Sequence, residues 1–254
     1  MLIDTHAHLD FPEFASDLPS VLARARENGV ETVVTIGIDL ASSGRAIEIA
    51  ATYPEVYAVV GIHPHDAFEL DIPAQDQLKA LAAHPRVVGL GEMGLDYFRN
   101  HQPRDVQISC LRGQLDLAVE IGKTVVFHVR DAYDDFLEIV SGYADGLAGV
   151  VMHCFSGDWA IAERCLEMGF YLSIPGTVTF AKAANVQDVA ARAPMDRLLV
   201  ETDCPFLAPV PKRGKTNEPA FVRYTAEKIA DLRGVDLDEI ARATTANALK
   251  IFRL

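Results

Sequence analysis

The amino-acid sequence predicts an α/β protein built as a (β/α)8 barrel of the TIM type. Three observations predict it: eight short apolar runs, helical patterns between them, and a length of 254 residues. Runs of β-branched residues that alternate with helices favour a parallel sheet. Eight such units in a chain of this length fit one closed barrel, so we expect a single domain over residues 1–254.

The predicted elements follow the apolar pattern along the chain. Short apolar runs bounded by polar or turn residues indicate buried strands. The eight candidate strands are residues 1–3, 32–36, 56–62, 87–91, 124–127, 149–152, 170–174 and 198–202. Helical periodicity marks, among others, residues 18–28, 104–121, 158–168 and 221–232. Residues 205–219 are the longest stretch without periodicity, and because they follow the last strand we expect them to lie over the barrel mouth.

Charge limits the partners of the chain. The sequence has 23 basic and 36 acidic residues, a formal net charge of -13. An acidic protein repels polyanions at long range, which argues against tight binding to long duplex nucleic acid. Positive charge is concentrated at Lys212, Arg213 and Lys215 in the predicted mouth loop. This cluster is either a solvated surface or a contact for a phosphorylated ligand or a single-stranded end.

The remaining composition predicts a cytoplasmic location. No stretch approaches the roughly 18 apolar residues of a membrane helix, so we expect no membrane association. The N-terminus lacks a basic region followed by a longer apolar one, which argues against a signal peptide. The four cysteines have no close-spaced framework and are expected to be free thiols. No feature of the sequence indicates an obligate protein partner.

The most informative motif directly follows the first apolar run. His6 and His8 are two residues apart, and alternation along a strand places them on the same face. Two such imidazoles can chelate one divalent ion. By themselves they fit a pair of surface or core histidines equally well.

Polar residues follow four other predicted strands in the same way. They are Glu92, His128, His153 and Asp203. Because the carboxyl ends of barrel strands converge on one mouth, polar residues there indicate a catalytic site. The recurrence favours a metal site over isolated histidines.

Seven ordered segments then carry a family resemblance. They are residues 4–10 (DTHAHLD), 61–67 (GIHPHDA), 91–97 (GEMGLDY), 128–132 (HVRDA), 153–157 (HCFSG), 201–209 (ETDCPFLAP) and 213–219 (RGKTNEP). Together they span nearly the whole chain, which resembles the TatD-type metal-dependent deoxyribonucleases. Phe206 stands where that family often has tyrosine, and Thr216 stands where a basic residue is common.

The resemblance implies a site for two divalent metal ions. His6, His8 and Asp203 would hold one ion, His128 and His153 the other, and Glu92 would bridge them. The resemblance further implies Mg²⁺ or Mn²⁺ for activity, with Zn²⁺ possible. Two ions roughly 3.5–4 Å apart can activate a water and stabilise a leaving oxygen. Asp203 could also take the proton of that water as general base, so Glu92 and Asp203 are the predicted catalytic residues.

Substrate contacts are predicted around this site. The resemblance implies phosphate contact for His63, and Arg213 and Lys215 are expected to grip phosphate from the mouth loop. Arg130 could pair with a carboxylate or a phosphate. We expect His65 to be structural or to support a ligand.

Four further residues are predicted from their positions. Glu201 could orient a ligand histidine or be a buried ion-pair partner. Tyr97 could stack on a base or pack in its loop. Cys154 is expected, by strand alternation, to point away from the adjacent ligand His153. Asn217 is expected to cap the helix that follows it.

The sequence therefore predicts a metal-dependent hydrolase of DNA ends, a 3′–5′ exonuclease acting on single strands. The resemblance supplies substrate and polarity. One alternative is another hydrolase on the same metal site, acting on an aminoacyl-tRNA ester or a cyclic amide. The other is an inactive metal-bound binding module.

Overall fold

The structure is a barrel of eight parallel strands surrounded by helices, as the sequence predicts. It is a computed structural model that describes residues 1–254. The strands are β1 (Leu2–Ala7), β2 (Val30–Ile36), β3 (Val56–Val60), β4 (Val87–Asp96), β5 (Thr124–Arg130), β6 (Val150–Met152), β7 (Tyr171–Ile174) and β8 (Leu198–Val200).

Nine helices surround the strands. They are α1 (Leu18–Glu27), α2 (Leu40–Thr52), α3 (Ile72–Ala82), α4 (Arg104–Ile121), α5 (Tyr133–Ser141), α6 (Trp159–Glu167), α7 (Ala184–Arg192), α8 (Val222–Arg233) and α9 (Leu237–Phe252). Aspartates cap the first turns of three of them, since Asp39, Asp71 and Asp158 each accept a hydrogen bond from the backbone three residues later. None of the helices has both the length and the apolar character that crossing a membrane requires.

The strands pair in chain order, and the ring is closed between its first and last members. Ala7 forms a parallel bridge with Cys204, just beyond β8. The Asp203 amide donates to the His6 carbonyl over 2.9 Å, and the His8 amide donates to the Cys204 carbonyl over 2.8 Å. These bonds link the two ends of the strand order at the level of the mouth.

Apolar side chains fill both sides of the sheet. A cluster of 55 buried residues lies mainly between the strands and the surrounding helices. A smaller cluster of 11 residues includes Ile3, Val126 and Leu199 from the strands, together with Phe252 at the end of α9. The strands are therefore buried on both faces, which explains their nearly continuous apolar runs.

Three strands extend beyond their predicted carboxyl-terminal ends. β1 continues to Ala7, β4 to Asp96 and β5 to Arg130, so His6, Glu92 and His128 lie within strands rather than after them. β4 passes very close to β5 there, because a Cβ on Gly94 would lie 1.8 Å from the His128 carbonyl oxygen. Only glycine fits at that position, and its absent side chain keeps Glu92 and His128 on adjacent strands close together.

Candidate active site

Six polar side chains meet at the carboxyl-terminal mouth of the barrel. They are His6, His8, Glu92, His128, His153 and Asp203. The first four lie in or directly after β1, β4 and β5, and the last two follow β6 and β8. His6, Glu92 and His153 are 0%, 3% and 5% exposed, so the cluster lies below the protein surface.

Glu92 lies at the centre of the cluster, and its two carboxylate oxygens face different histidines. Oε2 is 3.3 Å from Nε2 of His6 and 3.9 Å from Nε2 of His8. Oε1 is 2.8 Å from Nδ1 of His128 and 3.4 Å from Nε2 of His153. One carboxylate thus links a pair of histidines from β1 to a pair from β5 and β6.

Asp203 faces the first of these pairs. Its Oδ1 is 3.4 Å from Nε2 of His8 and 3.9 Å from Nε2 of His6. The same oxygen lies 4.0 Å from Nε2 of His153. The His6 and His153 rings are stacked with centroids 3.4 Å apart, which packs the three imidazoles around one side of the carboxylate.

The donor set fits divalent cations. Two carboxylates offer only acceptor oxygens, and each neutral imidazole offers one lone pair. Nε2 of His6 is fully buried yet has no hydrogen-bond partner. Buried polar atoms are normally paired, so an unpartnered nitrogen aimed at two carboxylates indicates a cation as the missing partner. Imidazole and carboxylate together are common ligands of Zn²⁺ and Mn²⁺.

Further polar groups hold the histidines in place. Oε1 of the fully buried Glu201 lies 3.0 Å from Nδ1 of His153 and accepts a hydrogen bond from the Cys154 amide. Oδ2 of Asp96 lies 3.2 Å from Nε2 of His128 and 3.0 Å from Nε2 of His65. Such partners fix the tautomer and orientation of ligand histidines. Of the two interpretations of Glu201, its contact with His153 favours orientation of a ligand.

Burial and mutual attraction shift the ionisation of these groups. Burial opposes the charge on His153, but Glu201 and Glu92 outweigh it and raise the pKa of His153 to about 10. Burial likewise opposes the charge on Glu92, but His153 and His6 hold the pKa of Glu92 well below its ordinary value. Burial, reinforced by His128, holds the pKa of His63 well below its ordinary value, so this ring is neutral.

A cavity of about 530 Å³ opens above the cluster. His63 lines it, with Nε2 3.7 Å from Oε1 of Glu92, and Nδ1 of His63 accepts a hydrogen bond from the His65 amide. The proton of the neutral ring is therefore on Nε2, which faces the cavity as a donor. Arg130 also lines the cavity, and its guanidinium lies 3.8 Å from the centre of the Phe98 ring.

The basic part of the mouth loop lies elsewhere. Only its first residues, Phe206 and Leu207, line the cavity. The Arg213 guanidinium lies 4.1 Å from the centre of the Phe180 ring, and Lys215 is exposed. Neither lines the cavity, so their predicted grip on phosphate is not supported by their positions and stays a prediction.

Two predictions from local sequence pattern are wrong. Cys154 lines the cavity, and its Sγ lies with ligand atoms of His153 and Asp203 in a group spanning less than 4.8 Å. Its backbone has φ +44°, so the alternation of an extended strand has already ended. Asn217 does not cap a helix, because the turn that follows it is capped at Glu218 without a side-chain bond, and Oδ1 of Asn217 accepts only from the adjacent Glu218 amide. Its Nδ2 donates to the carbonyls of Thr202 and Phe206.

Tyr97 is held in its own loop. Its hydroxyl donates to Asp135 over 2.7 Å, and the Arg104 guanidinium lies 4.1 Å from the ring centre. Tyr97 does not line the cavity. These contacts favour loop packing over stacking on a base.

Sequence reasoning missed three residues that matter for the cavity. Arg99 and Phe11 line it, and Asp96 contacts His128. Each lies in a loop or strand end on the carboxyl side of the barrel. The rule that such segments carry function could have selected all three, and Asp96 lies in the segment 91–97 that carries the family resemblance. Nothing in the local pattern distinguishes Arg99 and Phe11 from ordinary surface residues.

Comparison with known proteins agrees with this geometry. The family model described as TatD related DNase matches residues 3–253. A Bacillus subtilis protein named as an uncharacterized metal-dependent hydrolase, YabD, is 44% identical, with 100% of each chain covered. A Citrobacter rodentium protein named 3′-5′ ssDNA/RNA exonuclease TatD is 36% identical over 99% of this chain and 97% of its own.

The fold agrees as well. The crystal structure of YjjV, a TatD homolog from Escherichia coli K12, superposes with a TM-score of 0.94 at 31% identity. The match covers 100% of this chain and 98% of that one. The chain belongs to the TatD-related DNase family of metal-dependent hydrolases.

Proposed function

From this family membership, we propose that the protein hydrolyses single-stranded DNA from its 3′ end and releases nucleotides. The arrangement around Glu92 supports the proposal most directly. Its two oxygens face separate groups of histidines, as a carboxylate shared by two ions would. Paired metal ions bridged in this way are typical of enzymes that cleave phosphodiesters by in-line displacement.

The residues divide into two ligand groups. His6, His8 and Asp203 would hold one divalent cation, His128 and His153 the other, and Glu92 both. Bound cations supply a water of lowered pKa and offset the charge that develops on the phosphoryl oxygens. The carboxylates suit Mg²⁺ or Mn²⁺ and the four imidazoles suit Zn²⁺, so all three ions belong in a test.

Asp203 is the proposed general base. Its carboxylate is the more accessible of the two, with 13% of the side chain exposed against 4% for Glu92. A water oxygen forms the new bond to phosphorus, and its proton passes to Asp203. The bond from phosphorus to the 3′ oxygen of the preceding nucleotide breaks, and that oxygen leaves with the electron pair and takes a proton from solvent.

His63 and Arg130 are the proposed contacts for phosphate. His63 presents a neutral Nε2–H donor beside Glu92, which can bond to a phosphoryl oxygen without adding charge to a crowded site. Arg130 brings a fixed positive charge to the edge of the same cavity. His63 can therefore orient the scissile phosphate relative to Asp203, while Arg130 can hold a phosphate of the strand at the edge of the cavity.

Size and charge favour attack at an end. A cavity of about 530 Å³ is in the range that accepts one small ligand. The net charge of -13 disfavours a long contact with the polyanionic strand. The name of the Citrobacter relative also includes RNA, and we extend the proposal to RNA ends.

The test uses single strands labelled at the 5′ end, with the 3′ end either free or blocked. Each strand is incubated with wild-type protein loaded with Mg²⁺, Mn²⁺ or Zn²⁺, and in parallel with the Asp203→Asn variant. The matched control is Asp231→Asn, an exposed aspartate on α8. We expect a stepwise ladder on free 3′ ends, none on blocked ends, and a ladder with the control but not with Asp203→Asn.

Other outcomes lead elsewhere. Internal fragments at the first time point, or equal degradation of blocked strands, would overturn the exonuclease proposal and leave the metal site standing. No cleavage of any strand with every metal would favour the ester or cyclic amide hydrolase instead. Retention of metal without turnover of any substrate would favour the inactive metal-bound binding module.

A further inference from the structure

The rim of the cavity has two chemically different walls on opposite sides. Phe11, Phe206 and Leu207 follow β1 and β8 and form an apolar wall. Arg99 and Arg130 follow or end β4 and β5 and form a cationic wall. Because the eight strands run round the ring in chain order, the β8–β1 junction is diametrically opposite the β4–β5 junction.

The apolar wall is exposed yet held in place. Phe206 is 48% exposed, and its ring meets the Phe11 ring edge to face with centroids 5.6 Å apart. Both rings lie beside His8, at centroid distances of 5.1 Å for Phe11 and 6.2 Å for Phe206. The buried Asn217 fixes the Phe206 backbone by donating to its carbonyl over 2.6 Å. A fixed aromatic pair, with the Phe206 ring exposed and the Phe11 ring half-buried, lies beside a predicted metal ligand and suits a flat apolar ligand group.

The cationic wall is unusual for an acidic protein. Arg99 and Arg130 are both exposed, and neither guanidinium has a carboxylate within 4.0 Å, although arginines elsewhere, such as Arg24 and Arg223, form such pairs. Arg130 stacks on Phe98 instead. The Arg99 amide donates to Oδ1 of Asp96 over 2.7 Å, and Asp96 also contacts His128. Both guanidinium groups are therefore free to bind an anion, and the Arg99 backbone is tied to the cluster through Asp96.

The direction of attack on phosphorus determines which part of the strand lies at each wall. In phosphoryl transfer the attacking and leaving oxygens lie roughly in line on opposite sides of phosphorus. Asp203, the proposed base, follows β8, so the water attacks from the side of the apolar wall. The leaving 3′ oxygen, with the rest of the strand, then lies toward β4 and β5. The terminal nucleotide stays with the phosphate and is free to fold back toward β1 and β8.

We propose that the terminal nucleobase stacks against Phe11 and Phe206, and that the next phosphate along the strand contacts Arg99 and Arg130. The assignment rests on the proposed exonuclease function and predicts which features of the substrate that function requires. Stacking is tolerant of sequence because every base has an aromatic face, so the enzyme requires a base at the 3′ terminus without selecting which one. It also requires a charged linkage at the next position.

The experiment compares three single strands as substrates. One is unmodified, one ends in an abasic nucleoside, and one has an uncharged methylphosphonate at the linkage preceding the scissile one. Each is cleaved by the wild-type protein, Phe206→Ala and Arg99→Ala. The matched controls are Phe68→Ala and Arg242→Ala, since both side chains are exposed and neither lines the cavity.

We expect the effects to be selective. Phe206→Ala should lower kcat/KM roughly 5- to 100-fold on the unmodified strand and less than about 2-fold on the abasic one. Arg99→Ala should lower it by about 10-fold on the unmodified strand and hardly at all on the methylphosphonate. The controls should match the wild type on all three. Thermal unfolding of each variant checks that the fold is retained.

The outcomes distinguish the two proposals. Equal losses on the modified and unmodified strands, or a wild-type protein indifferent to the abasic end, would overturn the wall assignment while the exonuclease proposal stands. The wall assignment would also be overturned if the loss of kcat/KM caused by Phe206→Ala disappeared on the methylphosphonate strand and not on the abasic strand. A wild-type protein that shortens no strand would overturn both.

Discussion

The inner cluster and the basic segment of the mouth loop were both expected to bind substrate or metal, yet only the inner cluster lies at the cavity. The inner cluster consists of His6, His8, Glu92, His128, His153 and Asp203, and its members converge within a few ångströms of Glu92 or Asp203. The basic segment consists of Lys212, Arg213 and Lys215. It lies outside the cavity, with Arg213 and Lys212 over aromatic rings.

The difference lies in what positions each group. Residues in or near a barrel strand inherit their positions from strand pairing, which the sequence pattern predicts. Residues far into a loop are positioned by long-range contacts with other segments, such as that of Arg213 with Phe180. Charge alone therefore did not place the basic segment at the mouth.

The first prediction removes the centre of the inner cluster. Glu92→Gln should lower kcat by roughly 10³-fold or more, because one neutral amide replaces the carboxylate that both groups of histidines share. Bound metal per chain, measured by mass spectrometry of the dialysed protein, should fall as well. The matched control is Glu13→Gln, an exposed residue. Unchanged metal content and activity would show that Glu92 does not bridge.

The second prediction tests the support of the cluster. Glu201→Gln should lower activity or metal affinity roughly 10- to 100-fold, because the amide holds His153 less well than the carboxylate. Metal titration followed by calorimetry measures the affinity. A mere loss of thermal stability, with affinity and kcat intact, would mean that Glu201 is only a buried ion-pair partner.

The third prediction concerns pH and metal removal. The pKa of His153 is raised from 6.5 to about 10, so its contribution to stability is present below pH 6.5 and lost as the pH rises toward 10. Burial raises the pKa of Asp4 from 3.8 to about 8, and its contribution is lost over that interval. The metal-free protein should therefore have a falling Tm between pH 6.5 and 10.

The metal-loaded protein should not show this fall in Tm. Metal binding requires neutral imidazole, so the stabilisation by metal should grow over the same interval, with protons released on binding. Calorimetry in two buffers of different ionisation enthalpy counts those protons. A metal-free Tm that rises with pH in this window would contradict the assigned shifts.

The smallest expected effect separates two arginines. Arg130→Ala should raise KM roughly 3- to 10-fold with a lesser change in kcat, because its contact also holds the bound ground state. Arg213→Ala should change KM by less than about 2-fold, since its side chain lies on Phe180. Steady-state kinetics on one single strand measures both. An equal rise for Arg213→Ala would show that the basic segment reaches the substrate.

Much of the architecture could be predicted because barrel strands are apolar on both faces. The eight apolar runs predicted the fold, and the polar residues at the predicted strand ends predicted the members of the inner cluster. The predicted strand boundaries were less accurate. β4 continues past Glu92 through Gly94, because it pairs closely with β5 there, and that pairing cannot be read from the local sequence of β4. The orientation of Cys154 and the contacts of Asn217 depend on backbone turns that no periodicity encodes.

The closure of the ring links the predicted metal ligands to the folding of the chain. Asp4 on β1 accepts a hydrogen bond from the Thr202 amide beyond β8, although the two residues are 198 positions apart. Bringing such distant segments together carries a loop-closure entropy cost that only the finished barrel recovers. His6 and His8 meet Asp203 only once this seam has formed. The six-residue cluster therefore assembles only in a chain that has folded to completion, and a nascent chain that ends before β8 lacks Asp203 and cannot complete the cluster.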